Sequence, residues 1–277
     1  MQPSKPTFGV KLLLFLLFFL GILITAWIIL DAEVFRTFIT PPKKSETVEN
    51  INHTAPKSND TPKSSSKVDQ LRQSIVLVVS QDCDTRELGY GTGFVVKAER
   101  NERYVATNAH VVRDGLKCNG IMIIDYKGRK HRTEMVGISM TNDFRNDMTV
   151  LKLENITDND LPPLVCLNSS EYQSGHDGEK IVTIGYPVLG TASTPDKASI
   201  SSEGQISQYD TTNNHFIASG LSLNPGNSGG PVFLVENYKV LGIAVAKADI
   251  LVAENVGMFI PINRFKNFFR EKTGKEL

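Results

Sequence analysis

From Ile75 onward the apolar residues come in short runs broken by glycine, proline, asparagine and aspartate. The runs are IVLVVS at 75–80, GFVVKA at 93–98, YVATN at 104–108, IMIID at 121–125, MTVLKL at 148–153, KIVTIGYP at 180–187, HFIAS at 215–219, PVFLV at 231–235, KVLGIAVA at 239–246 and GMFIPI at 257–262. Each is rich in β-branched or aromatic residues and bounded by turn formers, which predicts strands. Regular short strands with few long amphipathic stretches predict an all-β domain, a sandwich or barrels. One helix is expected, at the end of the chain. There Phe265, Phe268 and Phe269 share a face at i, i+3 and i+4 behind Asn263 as N-cap, to pack on the body or, as a lesser alternative, on a membrane. GYGTG at 89–93 lacks the spacing of a nucleotide loop and reads as a turn before the second strand.

The N-terminal pattern is different. Residues 12–30 are 19 uncharged, mostly apolar positions, and as a helix they would span about 28 Å, close to a bilayer's hydrocarbon core. An uncleaved signal anchor is expected. The competing reading, a cleavable signal peptide, calls for a shorter apolar region ending in small residues, whereas this run is followed by Asp31-Ala32-Glu33. Lys5, Lys11 and the amino terminus precede the span while Asp31 and Glu33 follow it, which predicts a cytoplasmic N-terminus and an extracytoplasmic bulk, periplasmic in a bacterium. Pro41, Pro42, Pro56 and Pro62 lie among Ser, Thr, Lys and Asn, too polar to order themselves, with sequons at Asn52 and Asn59. The expected organisation is a cytoplasmic tip at 1–11, the span at 12–30, a flexible linker at 31–68 and one globular domain at 69–277.

Composition narrows the partners. The 277 residues carry 30 Lys plus Arg against 30 Asp plus Glu, but residues 1–68 hold 8 basic and 5 acidic, leaving 22 and 25 for the rest. An acidic domain with no basic run longer than Lys43-Lys44 does not track phosphates, so nucleic acid is excluded as the main partner. Cys83, Cys118 and Cys166 are too few and too irregular for a zinc site, and His53, His131, His176 and His215 have no metal-ligand spacing. Cys83 and Cys118 fall in predicted loops near the His110 strand, where an oxidising compartment would permit a bridge; Cys166 reads as a buried apolar thiol.

Three separated places bear chemistry. NPGNSGGPV at 224–232 encloses Ser228 in glycines directly before a strand. A serine nucleophile needs such a tight turn, with backbone N–H groups aimed at the developing oxyanion, and Gly226, Asn227 and Ser228 suit that oxyanion hole with the Gly226 and Ser228 amides as donors. An ordinary turn is the competing reading. TNAHVV at 107–112 sets His110 at the end of a strand, the place of a packed histidine or a general base. NDMTVLKL at 146–153 opens an apolar run with Asp147, the place of a cap or of an orienting carboxylate. His, Asp and Ser follow in that order at spacings of 37 and 81, the order of the chymotrypsin-type triad and not of the hydrolase-fold esterases.

At these residues the chain resembles the trypsin-like serine peptidases of the HtrA/Deg branch. The resemblance runs from 75 to 262 through GTGFVV, TNAHVV, DMTVLKL, VTIGYP, ISSEGQIS, GNSGGPVF, VLGIAVA and FIPI. It implies two packed six-stranded antiparallel β-barrels with the site between them, His110 as base and acid, Asp147 as its orienter and Ser228 as nucleophile, acting on protein or peptide substrates without metal or cofactor. Asp143 is the nearest rival to Asp147. Digestive relatives are activated when a new N-terminal ammonium pairs with an Asp before the nucleophile; Asn227 stands there, so clipping is not expected to activate this chain. The resemblance sets Ser222, Leu223, Ala244 and Ala246 around the specificity pocket, and with no acid among them a small or medium aliphatic P1 residue is expected. Many members add C-terminal PDZ domains, for which the 15 residues after Ile262 leave no room, so regulation is expected through loops, oligomerisation or another protein. Many are also trimeric; residues 40–74 supply no clear aromatic contacts for this, and the oligomeric state stays open, a homotrimer among the options. The rival from another class is a membrane-tethered barrel that has lost catalysis and only binds.

Overall fold

The computed structural model describes residues 66–141, 143–156, 160–168, 171, 176–188, 198–212, 214–221, 223–247 and 255–277, so the expected anchor, most of the linker and Ser222 lie outside the described residues. A short helix, α1 (Lys67–Arg72), opens the described chain; Ser66 caps it by accepting from the Asp69 N–H. Strands β1 (Ile75–Gln81), β2 (Leu88–Lys97), β3 (Arg103–Thr107), β4 (Ile121–Ile124), β5 (Lys130–His131), β6 (Thr133–Ile138) and β7 (Thr149–Leu153) form one antiparallel sheet in the order β5-β4-β1-β2-β3-β7-β6. Strands β8 (Lys180–Gly185), β9 (Ser199–Asp210), β10 (His215–Ser219), β11 (Pro231–Leu234), β12 (Val240–Lys247) and β13 (Val256–Pro261) form a closed six-stranded barrel in the order β10-β13-β12-β11-β8-β9.

The first sheet has seven strands where six were expected. Its two edges, β5 and β6, are separated only by Arg132: His131 pairs with Ile123 of β4, and Thr133 pairs with Leu153 of β7. The chain thus changes neighbours at one residue, a corner of the kind that lets a curled sheet pass from one partner strand to another. Counted as one bent strand, β5 and β6 restore the expected number.

The unbroken apolar runs follow from packing on both faces. In β1, Val76 and Val78 join Val95, Val105 and Leu151 in one core, while Ile75, Leu77 and Val79 join Phe94, Tyr104, Ala106 and the second barrel in another. A strand buried on both sides loses the polar alternation of a half-solvated one. The run at 89–93 is part of β2, not a turn. A Cβ on Gly91 would lie 2.4 Å from a Val111 methyl and one on Gly93 2.6 Å from a Val105 methyl, so glycine there admits close neighbours and leaves the strand unbroken.

The terminal helix α3 (Ile262–Thr273) starts two residues earlier than predicted, with Pro261 as N-cap, and buries Phe265 and Phe269 completely. Phe269 meets Tyr104 of β3 edge-on at 4.9 Å, so the helix that follows the second barrel packs against the first sheet. Beyond it Lys275 donates to Glu102, whose carboxylate also accepts from the Tyr104 hydroxyl at 3.1 Å and lies 3.3 Å from Lys152. The Lys275 bond, followed by those of Lys152 and Tyr104, outweighs partial burial and holds the Glu102 carboxyl down at about 2, against 4.5 ordinarily. A carboxyl with a depressed folded value contributes its stability fully above the unfolded value and loses it as pH falls through the folded one. Glu102→Gln is therefore expected to lower the urea midpoint at neutral pH, with the gap from the parent closing between pH 4.5 and about 2. A gap independent of pH over that range would refute this role for the charge.

Candidate active site

His110 lies on a single helical turn, α2 (Ala109–Val112), directly after β3, rather than on the strand end that the sequence predicts. Ala109, Val111 and Val112 are buried, which leaves the histidine as the residue of the turn turned outward. Asp147 follows the 3₁₀ turn Phe144–Asn146 and is 6% exposed. Its carboxylate holds His110 at two points: one oxygen bonds to Nδ1 of the ring, and the other accepts from the His110 backbone N–H at 2.9 Å. Asn108 Nδ2 donates to the Asp147 carbonyl at 2.7 Å, fixing the backbone as well. Asp143 is occupied elsewhere, capping that 3₁₀ turn and accepting from Arg145 Nε at 2.6 Å; the guanidinium holds its carboxyl below the ordinary range.

Ser228 lies in the connection between β10 and β11. Gly226 and Gly229 have φ of +90° and +85°, where glycine is needed. A Cβ on Gly229 would come within 2.2 Å of Thr107 Oγ1 and 2.9 Å of the Asn108 nitrogen, so the serine turn presses against the residues that lead into His110. The Asn227 N–H donates to the Asn224 carbonyl and the Gly229 N–H to the Ala244 carbonyl, at 3.0 and 2.9 Å. Neither the Gly226 nor the Ser228 N–H has an acceptor among the described residues, so of the three expected oxyanion-hole residues two keep their donors available while that of Asn227 is committed within the turn. The Ser228 hydroxyl reaches the Val245 carbonyl at 3.5 Å, the outer limit of a hydrogen bond. Around it, Leu223 and Ala244 are buried, and Ala244 clamps the turn through its N–H to the Gly230 carbonyl at 2.8 Å; the Ala246 side chain and Ser222 lie outside the described residues.

The family model of the trypsin-like peptidase domain matches residues 91–243, more than half of the chain, taking in the histidine, aspartate and serine segments. The chain belongs to this family. Among its curated relatives, a probable periplasmic serine endoprotease DegP-like protein of Chlamydia trachomatis is 33% identical over 161 residues, covering 58% of this chain and 29% of the relative. A protein of the same description in Rickettsia conorii is 26% identical over 88% of this chain and 46% of its own length. The serine protease Do-like HtrA of Bacillus subtilis is 27% identical over 79% of this chain and 50% of its own. The chain thus spans half or less of the length of these relatives.

In this trypsin-like peptidase domain two further features bear on the site. Thr92, wholly buried in β2, donates from Oγ1 to the Gly226 carbonyl at 2.6 Å and accepts there from the Tyr186 N–H at 2.9 Å. Its N–H donates to the Ser228 carbonyl at 2.9 Å and its carbonyl accepts from Thr107 at 2.7 Å, so one threonine ties the Ser228 turn to both halves of the domain. Only its place within the matched GTG segment marks it in the sequence. The second is the disulfide between Cys83 and Cys118, with Cα atoms 5.6 Å apart, which joins the β1–β2 connection to the 3₁₀ segment Arg113–Cys118 running on from α2. It closes a loop 35 residues apart in sequence, for which chain entropy gives about 4 kcal/mol. Replacing both cysteines with serine is expected to lower the unfolding free energy in urea by about that amount, and an unshifted midpoint would contradict it. Cys166 is a free thiol whose surroundings push it up to about 12, so it supplies no thiolate near neutrality.

Proposed function

We propose that the chain is a serine endopeptidase, tethered to a membrane by residues 12–30, that hydrolyses protein substrates on the extracytoplasmic side in quality control or regulated proteolysis. The observation that carries the enzymatic reading is the two-point hold of Asp147 on His110 beside a serine turn whose Gly226 and Ser228 amides remain available. Asp147 keeps the Nδ1 proton on its own side, leaving Nε2 to accept. Ser228 Oγ attacks the peptide carbon as Nε2 takes its proton, and the two amides hold the oxyanion. Collapse of the tetrahedral adduct returns that proton to the leaving amine, and water, deprotonated in turn by His110, releases the acyl group. Asn227 supports activity without clipping: its side chain is wholly buried and neither amide atom has a partner among the described residues. An uncharged group there needs no ammonium, whereas a buried carboxylate would. Leu223 and Ala244 support an aliphatic P1 residue. The Cys83–Cys118 bridge supports an oxidising compartment, as does the charge order about the apolar span.

The Ser228 hydroxyl facing Val245 is the one observation that favours a catalytically silent binding module. A fluorophosphonate added to the full-length chain separates the two. The expected result is a covalent adduct on Ser228 that is absent from Ser228→Ala and His110→Ala. A folded wild-type chain that takes up no probe would overturn the enzymatic reading. Protease added outside intact cells or spheroplasts is expected to remove the domain, and its survival would overturn the proposed orientation.

A further inference from the structure

A cavity of about 360 Å³ opens beside the catalytic histidine, with His110 and Val111 in one wall. The nucleophile turn contributes nothing to its lining, so it lies on the histidine side of the site. That side is fixed chemically, because the imidazole must hand its proton to the departing amine. The part of the substrate C-terminal to the cleaved bond would thus leave beside His110, the residue that this cavity adjoins.

The lining is one-sided in charge. Asp82, Glu87 and Asp114 contribute three carboxylates, and no lysine or arginine is among the described residues that line it. Leu88, half exposed, and Tyr90 add apolar surface beside them. Asp82 is held in place by its own turn, accepting from the N–H groups of Asp84 at 2.8 Å and Thr85 at 2.6 Å. Asp114 is fixed relative to it: the Cys83 N–H donates to the Asp114 carbonyl, and the Cys83–Cys118 bridge joins the two segments. A second, independent feature points to a ligand. Ser80 also lines the cavity, is 3% exposed, and its hydroxyl has no hydrogen-bond partner among the described residues. A buried hydroxyl with neither donor nor acceptor satisfied is costly, and an incoming donor would relieve it.

We infer that this cavity is a primed-side subsite that selects substrates carrying lysine or arginine just after the cleaved bond. The aliphatic stem of such a side chain covers Leu88 and Tyr90 while its cationic head, a donor throughout, meets the carboxylates and Ser80. The inference rests on the peptidase reading above. It adds to that reading a charge preference opposite in kind to the aliphatic one expected at P1, set by a different wall of the site.

Internally quenched peptides with a fixed unprimed half and Lys, Ala or Glu at each of the first three primed positions test it, with the full-length chain as enzyme. At one of these positions lysine is expected to exceed glutamate in kcat/KM by roughly tenfold or more at low salt, the ratio shrinking as salt rises. Glu87→Gln with Asp114→Asn is expected to bring the ratio towards one. Because each ratio is taken within one enzyme, a general loss of activity in the variant does not imitate the effect. Equal rates for lysine and glutamate in an enzyme that takes up the fluorophosphonate would overturn the subsite and leave the peptidase reading intact. A ratio that survives unchanged in the double variant would overturn the assignment to this cavity. Absence of both labelling and cleavage would remove the peptidase reading and the subsite with it.

Discussion

Asp147→Asn is expected to lower kcat/KM by about 10⁴ and Ser228→Ala by about 10⁶, both in a chain that still folds. The two losses have different causes. In the proposed mechanism the serine variant lacks the nucleophile altogether. The asparagine variant keeps shape and burial, but its amide can present an N–H to the ring nitrogen that Asp147 now holds. Nδ1 would then accept, the ring proton would move to Nε2, and the imidazole could no longer take the serine proton. The other grip, from the His110 N–H to Oδ1, persists if the asparagine oxygen takes that place, so the ring stays where it is while its chemistry is reversed. Single-turnover kinetics with a peptide substrate separate these outcomes from a binding defect. Wild-type-like cleavage by Asp147→Asn would show that the carboxylate holds the histidine without tuning it.

A large effect on folding is expected at Gly229. Its φ of +85° costs a side chain about 1–2 kcal/mol. An alanine Cβ there would also lie 2.2 Å from both the Thr92 carbonyl oxygen and Thr107 Oγ1, and one of these is backbone in the middle of a buried strand. Relieving that overlap costs roughly a further 1–3 kcal/mol. The sum, roughly 2–5 kcal/mol, is a large fraction of the roughly 5–15 kcal/mol that holds a domain folded, so Gly229→Ala is expected to accumulate poorly or to unfold at much lower urea. Gly128 is the control: its φ is +77°, yet nothing lies within 4 Å of a built Cβ, and alanine there is expected to cost only the conformational part. Equal midpoints for the two variants would mean that the turn around Ser228 yields more readily than its packing suggests.

The ten apolar runs were legible because strands buried on both faces are continuous in composition, and each run has its strand. What escaped was strand without that signature. β5 is only Lys130 and His131, β6 opens on Thr133 and Glu134 and is only partly buried, and most of β9 is serine, glutamate and glutamine, held by neighbours on both sides rather than by its own apolar content. GYGTG misled because glycine ordinarily marks a turn, whereas here it clears space for Val111 and Val105. At the site, residue type and order singled out His110, Asp147 and Ser228, and the structure brings the first two into direct contact with the turn of the third packed beside them. Thr92 and Asn108 escaped because a hydroxyl or amide that serves backbone groups carries no spacing rule. The choice of Asp147 over Asp143 came from the apolar strand that follows it, and the Arg145 bond to Asp143 is the physical counterpart of that choice.

The contact of α3 with Tyr104 bears on when the molecule acquires its chemistry. A chain leaving the ribosome presents β3, α2 and the Asp147 turn long before the serine turn, and Phe269 arrives later still. Until then the outer face of β3, which leads directly into His110, lacks its cover. The pair of His110 and Asp147 therefore emerges before the Ser228 turn it would serve, and the sheet beneath it is completed only when α3 has been made and docked.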